Sequence, residues 1–236
     1  MKKLLNTLYL TQDNFYLTRE RDNIVIKQEG AVVHRFPYRI IDGIVCFSYL
    51  GASPSLIELC AKNQINLSFH TPQGRFCGRF VGPANGNVLL RRQQYRLADN
   101  DLSLAYAKRF ILAKISNARK YLLRFRRDHR AKINQQLFEE VNTELTFALE
   151  MVATARDKDT LLGIEGQAAN HYFRAFNDLV LTDKQTFQFK GRTRRPPQDC
   201  VNALLSFGYS MLTYECQSAL EAVGLDSYVG FYHTDR

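Results

Sequence analysis

The spacing of apolar residues changes partway along the chain. Up to about Val81 they come in short, alternating runs, which predicts strands at Phe15–Thr18, Ile24–Lys27, Ala31–Phe36, Arg39–Phe47, Asn66–His70 and Arg75–Val81. Between them, Arg21-Asp22-Asn23, Gln28-Glu29-Gly30 and Thr71-Pro72-Gln73-Gly74 supply the Asn, Asp, Pro and Gly that tight reversals need. One helix interrupts this region, with Ser53 as N-cap, Pro54 at the first helical position and Ser55 through Lys62 following. The run Gly82-Pro83-Ala84-Asn85-Gly86-Asn87 then opens a polar, arginine-bearing connector. The chain therefore divides into a β-rich domain (1–81), a linker (82–100) and a helical domain (101–236).

From Asp101 onward the period lengthens. Leu104, Ala107, Ile111, Ile115, Ala118, Leu122 and Phe125 recur at spacings of three and four, the stripe of a helix that packs on other helices. Further helices are expected over Asn134–Arg156, Asp159–Val180 and Asp199–Val223. The fold class is α+β, an N-terminal β-rich domain followed by an all-α C-terminal domain.

Charge changes the picture more than size does. In 236 residues, 45% of them hydrophobic, there is enough apolar surface for two cores, and 32 Lys and Arg against 23 Asp and Glu leave a net charge of +9. Such a balance favours a polyanionic partner, nucleic acid or an anionic membrane. Much of it sits on the first long helix, where ten basic residues between Tyr106 and Lys132 face Asp128 alone. Arg109, Lys120, Arg124 and Arg127 fall opposite the apolar stripe, as a solvated face or an anion-binding one. Five scattered cysteines support neither a disulfide framework nor a zinc site and fit a reducing cytoplasm. The N-terminal residues carry no secretory pattern, and no run reaches transmembrane length, so a protein neither secreted nor membrane-spanning is expected. There is no P-loop, dinucleotide fingerprint or zinc-finger spacing.

The sharpest local oddity is Gly163-Ile164-Glu165-Gly166-Gln167-Ala168-Ala169-Asn170-His171-Tyr172-Phe173. Glu165 shares a helix face with Ala168, Ala169, Tyr172 and Phe176, so a carboxylate enters an apolar stripe and needs a cation, a metal or hydrogen bonds to hold it. Gly163 and Gly166, unfavourable in a helix interior, suggest close approach of a backbone or ligand to that turn. Tyr172 lies on the same side and could orient Glu165, while His171 points away. Downstream, Lys190-Gly191-Arg192-Thr193-Arg194-Arg195 precedes Pro196, Pro197 and a helix that Asp199 caps, which sets four cations before a helix N-terminus, a place that favours phosphate; a flexible basic loop is the plainer alternative. Asn202, one turn in, can reach a phosphate or its own cap.

These segments together resemble the CRISPR-associated integrase-endonuclease family Cas1, most closely its subtype I-C branch. The glutamate helix, the run Gly191 to Tyr209 as an arginine loop with its helix, and Val229-Gly230-Phe231-Tyr232-His233 as a histidine motif occur in that family's order and at similar separations. The resemblance implies that the helical domain is catalytic and holds Mg²⁺ or Mn²⁺ with Glu165, His233 and a later acidic residue. It places that third ligand on a helix beyond Arg236, so the chain reads as truncated at its C-terminus; Asp235 does not match the family position. Oxygen and imidazole donors suit these ions and leave positions for phosphate and water. Lys190, Arg192, Arg194, Arg195 and Asn202, with Arg109, Lys120, Arg124 and Arg127, become DNA contacts.

The function implied is a metal-dependent DNA integrase and endonuclease of CRISPR adaptation. It would insert prespacer DNA at a CRISPR repeat by 3′-hydroxyl transesterification, as a cytoplasmic homodimer formed through the β-rich domain and joined by the small protein Cas2. A second class of answer is a catalytically silent DNA-binding or assembly subunit, which the absence of the third ligand favours. A third is an RNA-binding module without metal, which would expose Phe15, Tyr16, Phe36 and Tyr38 on the strands.

Overall fold

A computed structural model describes residues 6–80, 82 and 86–233. They form two compact units, one of residues 1–87 with 217–224, the other of 88–216 with 225–236.

In the first unit, strands β2 (Phe15–Glu20), β3 (Asn23–Gln28) and β4 (Ala31–Pro37) form an antiparallel meander. Its second hairpin turns through Glu29 and Gly30, both at positive φ, the geometry that matches the twist of two-residue hairpins. A second sheet has the order β1 (Thr7–Leu10), β5 (Gly43–Cys46), β6 (Asn66–His70), β7 (Phe76–Phe80), parallel across its first two pairs and antiparallel in the last. Helix α1 (Pro54–Lys62) makes the crossover between the parallel strands β5 and β6; Ser53 Oγ accepts from the Leu56 amide at 3.3 Å, the expected cap. Leu17, Ile24, Ile44, Leu56 and Leu67 are fully buried between sheets and helix. Phe15, Phe36 and Tyr38 pack against that core, so these strands do not present the exposed aromatic platform an RNA-binding module would need.

The second unit is helical: α2 (Val88–Ala98), α3 (Leu102–Asp128), α4 (Gln135–Thr154), α5 (Lys158–Arg174) and most of α6 (Cys200–Ala222), with a 3₁₀ turn at Phe176–Leu179. Its core joins Ala107, Ile111, Ile115 and Leu122 of α3 to Phe138, Val141 and Leu145 of α4 and Leu161, Ile164 and Ala168 of α5, which is the stripe read from the sequence. Asn134 caps α4 through the Leu137 amide at 3.2 Å, and Asp157 caps α5 through the Thr160 amide at 2.6 Å.

The chain departs from the expected division in three places. Residues 88–98, assigned to a linker, are the helix α2, whose amphipathicity is hidden because Gln94, rather than an apolar residue, is its buried member. Strand β1 had no expectation, and the stretch expected as one strand over Arg39–Phe47 is a 3₁₀ turn at Tyr38–Ile40 and then β5. The end of α6 groups with the first unit, where Arg79 of β7 reaches Ser218 Oγ at 3.1 Å and pairs with Glu221. Val81, the expected end of the last strand, lies outside the described residues.

Candidate metal and nucleic-acid site

Glu165 follows the buried Ile164 on α5 and so sits at the rim of the core stripe, its side chain 16% exposed. Its partner is Lys114 of α3, which forms an ion pair with Glu165 Oε1. Lys114 lies three residues after Ile111 and four before Ala118, on the flank of its own apolar stripe, so two stripes that pack together each carry one charge and the charges meet. Around them is a cavity of about 260 Å³, lined also by Ala168, Ala169, Tyr172, Arg192, Arg194 and Tyr209. A Cβ at Gly163 or Gly166 would meet nothing within 4 Å, so no part of the described chain makes the close approach expected there. Tyr172 does line the cavity, and burial pushes its pKa up to about 12, but the hydroxyl that senses Glu165 is that of Tyr232.

Tyr232 belongs to a segment tied down residue by residue. The Gln94 side chain, 7% exposed, accepts from the Asp226 amide at 2.8 Å and donates to the carbonyls of Asp226 at 2.7 Å and Val229 at 3.4 Å. Tyr95 donates to Asp226 Oδ2 at 2.9 Å, and Phe231 stacks on Tyr106 with ring centroids 5.3 Å apart. A side chain at Gly230 would come within 2.9 Å of the His233 carbonyl, which explains the glycine. Tyr232 then packs on the helical core with its hydroxyl buried; burial first, and its interaction with Glu165 second, raise its pKa. His233 follows, exposed, its ring 4.7 Å from that of Tyr232.

Among the described residues no three His, Cys, Asp or Glu side chains form a metal-holding group. The site nevertheless fits a hard divalent ion in kind. It offers a carboxylate paired with a lysine and a buried tyrosine hydroxyl that senses the same carboxylate, with an imidazole on the next residue. Mg²⁺ commonly takes one or two protein donors and completes its shell with water and substrate phosphate.

The arginine loop is organised by a residue expected to touch DNA. Asn202 is 0% exposed: its Nδ2 donates to the Gly191 carbonyl at 2.8 Å and to Asp199 Oδ2 at 2.6 Å, while its Oδ1 accepts from Arg192 Nη1 and the Thr193 amide, both at 2.9 Å. Both donors and both acceptor positions of the amide are used, so Asn202 holds the loop and has no polar atom left for a phosphate. Asp199 caps α6 as expected, accepting from the Asn202 amide at 2.7 Å. Arg192 is fixed as well, donating to Thr193 O at 2.6 Å and to Ser206 Oγ, over the Tyr209 ring. The loop is anchored upstream by Phe189, buried against Phe173 and Phe176 with centroids 5.5 and 4.9 Å apart.

Of the cations expected to bind DNA, Arg192 and Arg194 join Glu165 in one cavity. Lys190 lines a neighbouring one of about 540 Å³ with Arg192, Thr193 and Gln198, and Arg195 lines neither. Lys190, Arg194 and Arg195 are exposed. Arg109, Lys120, Arg124 and Arg127 are exposed on the α3 face opposite its core stripe, as expected, Arg124 and Arg127 both beside Asp128. Sequence reasoning missed Lys114, Tyr232 and Gln94. The available signal for Lys114 was a lysine at core spacing in α3, facing a glutamate at core spacing in α5.

Comparison with known proteins extends this picture. Residues 8–236 match the family described as CRISPR associated protein Cas1. The chain is 42% identical over 237 residues to a CRISPR-associated endonuclease Cas1 of Chlorobaculum tepidum, covering 100% of this chain and 69% of that protein. Among solved structures, a casposase bound to integration product superposes with a TM-score of 0.78 at 25% identity, over 98% of this chain and 66% of that one. A Cas6-RT-Cas1–Cas2 complex superposes with a TM-score of 0.74 at 26% identity, over 98% of this chain and 25% of that one. No helix among the described residues is long and apolar enough to cross a membrane.

Proposed function

This chain belongs to the Cas1 family, and from that premise we propose that it is a metal-dependent DNA endonuclease and integrase of CRISPR adaptation, with Glu165 and His233 as its described metal donors. The observation that carries the reading is one cavity holding a part-buried carboxylate among Lys114, Arg192 and Arg194, an arrangement that takes a cation and a phosphate together. When bound, Mg²⁺ or Mn²⁺ would supply Lewis-acid stabilisation of charge developing on the scissile phosphate. The protein's own residues do the rest. Gln94 and the Phe231–Tyr106 stack fix the path that presents His233, and Asn202 holds Arg192 in place. Arg194, exposed at the rim, takes a phosphate oxygen.

The exposed cations of α3, opposite its core stripe, and those of the loop lie on the helical unit as sequence-independent phosphate contacts, which position a duplex without reading it. Prespacer and CRISPR-repeat DNA as substrates, a homodimer built on the β-rich unit, assembly with Cas2 and a cytoplasmic setting belong to the same proposal. The relatives' names support a nuclease of CRISPR systems, and the neighbour that contains Cas1 with Cas2 supports that partner; the homodimer and the cytoplasmic setting follow from the family resemblance.

The test is Glu165→Gln, which keeps shape and removes the charge. Mn²⁺-dependent cleavage and strand transfer should fall by about 100-fold or more, while duplex affinity stays within about twofold, because the lost group acts on one phosphate. Activity retained with the glutamine would refute the assignment. Loss of DNA binding in step with activity would favour the second reading, a DNA-binding subunit whose chemistry lies elsewhere.

A further inference from the structure

Lys114 is the cation that the family resemblance did not assign and that the geometry places on Glu165. Its side chain is 56% exposed, and an ion pair with one partner so open contributes little to folding. The pair therefore does not account for a carboxylate kept at the rim of the core. The cavity holds three cations, Lys114, Arg192 and Arg194, and one carboxylate, Glu165, so it is positive before any metal arrives. A divalent ion taking Glu165 would leave Lys114 unpaired in a cavity more positive still. An anion has to follow.

Among the three cations Lys114 has the freedom to exchange partners. Arg192 is fixed by Thr193, Asn202 and Ser206, and the Arg194 loop is held by hydrogen bonds at Thr193. Lysine is a compact charge on a flexible stem and fits no single geometry. We propose that Lys114 is a substrate-contacting residue that stands in for the metal at Glu165 and moves to a DNA phosphate when the metal binds, so that metal and DNA binding reinforce each other. This rests on Glu165 being a metal donor. It adds an exchange of ion pairs that couples the two ligands, and such coupling is reciprocal.

The experiment is a Mn²⁺ titration, followed by the spin-resonance signal of free Mn²⁺, with and without a short DNA duplex, on the whole chain and on Lys114→Met, Lys114→Arg and Glu165→Gln. The wild-type chain should bind Mn²⁺ more tightly with duplex present. Lys114→Met should bind Mn²⁺ alone about twofold to fivefold more tightly than wild type, because no ion pair is broken and one cation fewer repels the metal, and should lose most of the gain from duplex. Lys114→Arg should keep that gain. Wild-type Mn²⁺ affinity and an undiminished gain in Lys114→Met would overturn the inference while leaving the metal site intact. Weaker Mn²⁺ binding in both lysine variants would make Lys114 a structural residue and overturn it too. Unchanged Mn²⁺ binding in Glu165→Gln would sink the metal assignment and this inference with it.

Discussion

Replacing Asn202 with Asp tests whether this residue organises the arginine loop or meets the ligand. The exchange keeps volume and keeps an oxygen for Arg192 Nη1 and the Thr193 amide, both 2.9 Å away. It turns the donor that serves the Gly191 carbonyl at 2.8 Å and Asp199 Oδ2 at 2.6 Å into a second acceptor. Two bonds become two repulsive contacts around a fully buried atom. A buried polar group left unsatisfied costs about 1–3 kcal/mol, so the change should cost about 2–4 kcal/mol after partial relief by Arg192 and by water at the loop's exposed side. Asn202→Ala should cost a similar amount by removing all four bonds. Hydrogen exchange at the Thr193 and Gln198 amides should rise by about 30-fold or more, each tenfold corresponding to about 1.4 kcal/mol, and the denaturant midpoint of the helical unit should fall. If Asn202→Asp left both amides protected and weakened DNA binding alone, the role given to Asn202 would be wrong.

Two further outcomes are expected. Changing the exposed Lys190, Arg194 and Arg195 to Gln together, with Arg192 left in place, should lower the slope of log affinity against log salt by about 0.9 per lost phosphate contact for any duplex; an unchanged slope would return the loop to a solvated surface. In the first unit, burial holds the His70 imidazole below its ordinary pKa of 6.5, so the unfolded chain binds the proton first. Stability should decline as pH falls through about 6.5, until the folded-state imidazole itself titrates. His70→Gln should flatten that part of the pH profile in thermal melts, and an equally steep decline would exclude His70 as its source.

What could be read in advance depended on whether a residue's role is local. The helices of the second unit announced themselves because Ile111, Ile115, Leu122, Val141 and Leu145 repeat at helical spacing and need a common core. Ser53, Asn134 and Asp199 were or could be recognised as caps, since a cap acts within three residues of itself. Glu165 stood out as a charge in an apolar stripe, and the resemblance supplied His233. Lys114 did not stand out, because it is one of eight Lys and Arg residues on a basic helix and its partner is 51 residues away. Asn202 looked like any polar residue near a helix start; its burial comes from a loop folding back over it. The helix α2 escaped notice because its buried position is a glutamine, which reads as surface until its partners are known.

That glutamine has a wider consequence. Gln94 grips the main-chain N–H and C=O of Asp226 and the carbonyl of Val229, atoms that every residue other than proline provides. The fastening ignores the identity of the side chains it holds. The loop between Asp226 and Val229, including the exposed Tyr228, can therefore drift in sequence without changing the route by which the chain delivers His233. Variation is tolerated at Tyr228, while Asp226, Gly230 and Phe231 keep side-chain constraints of their own, and the amide that anchors the histidine's path lies more than 130 positions upstream of the residues it secures.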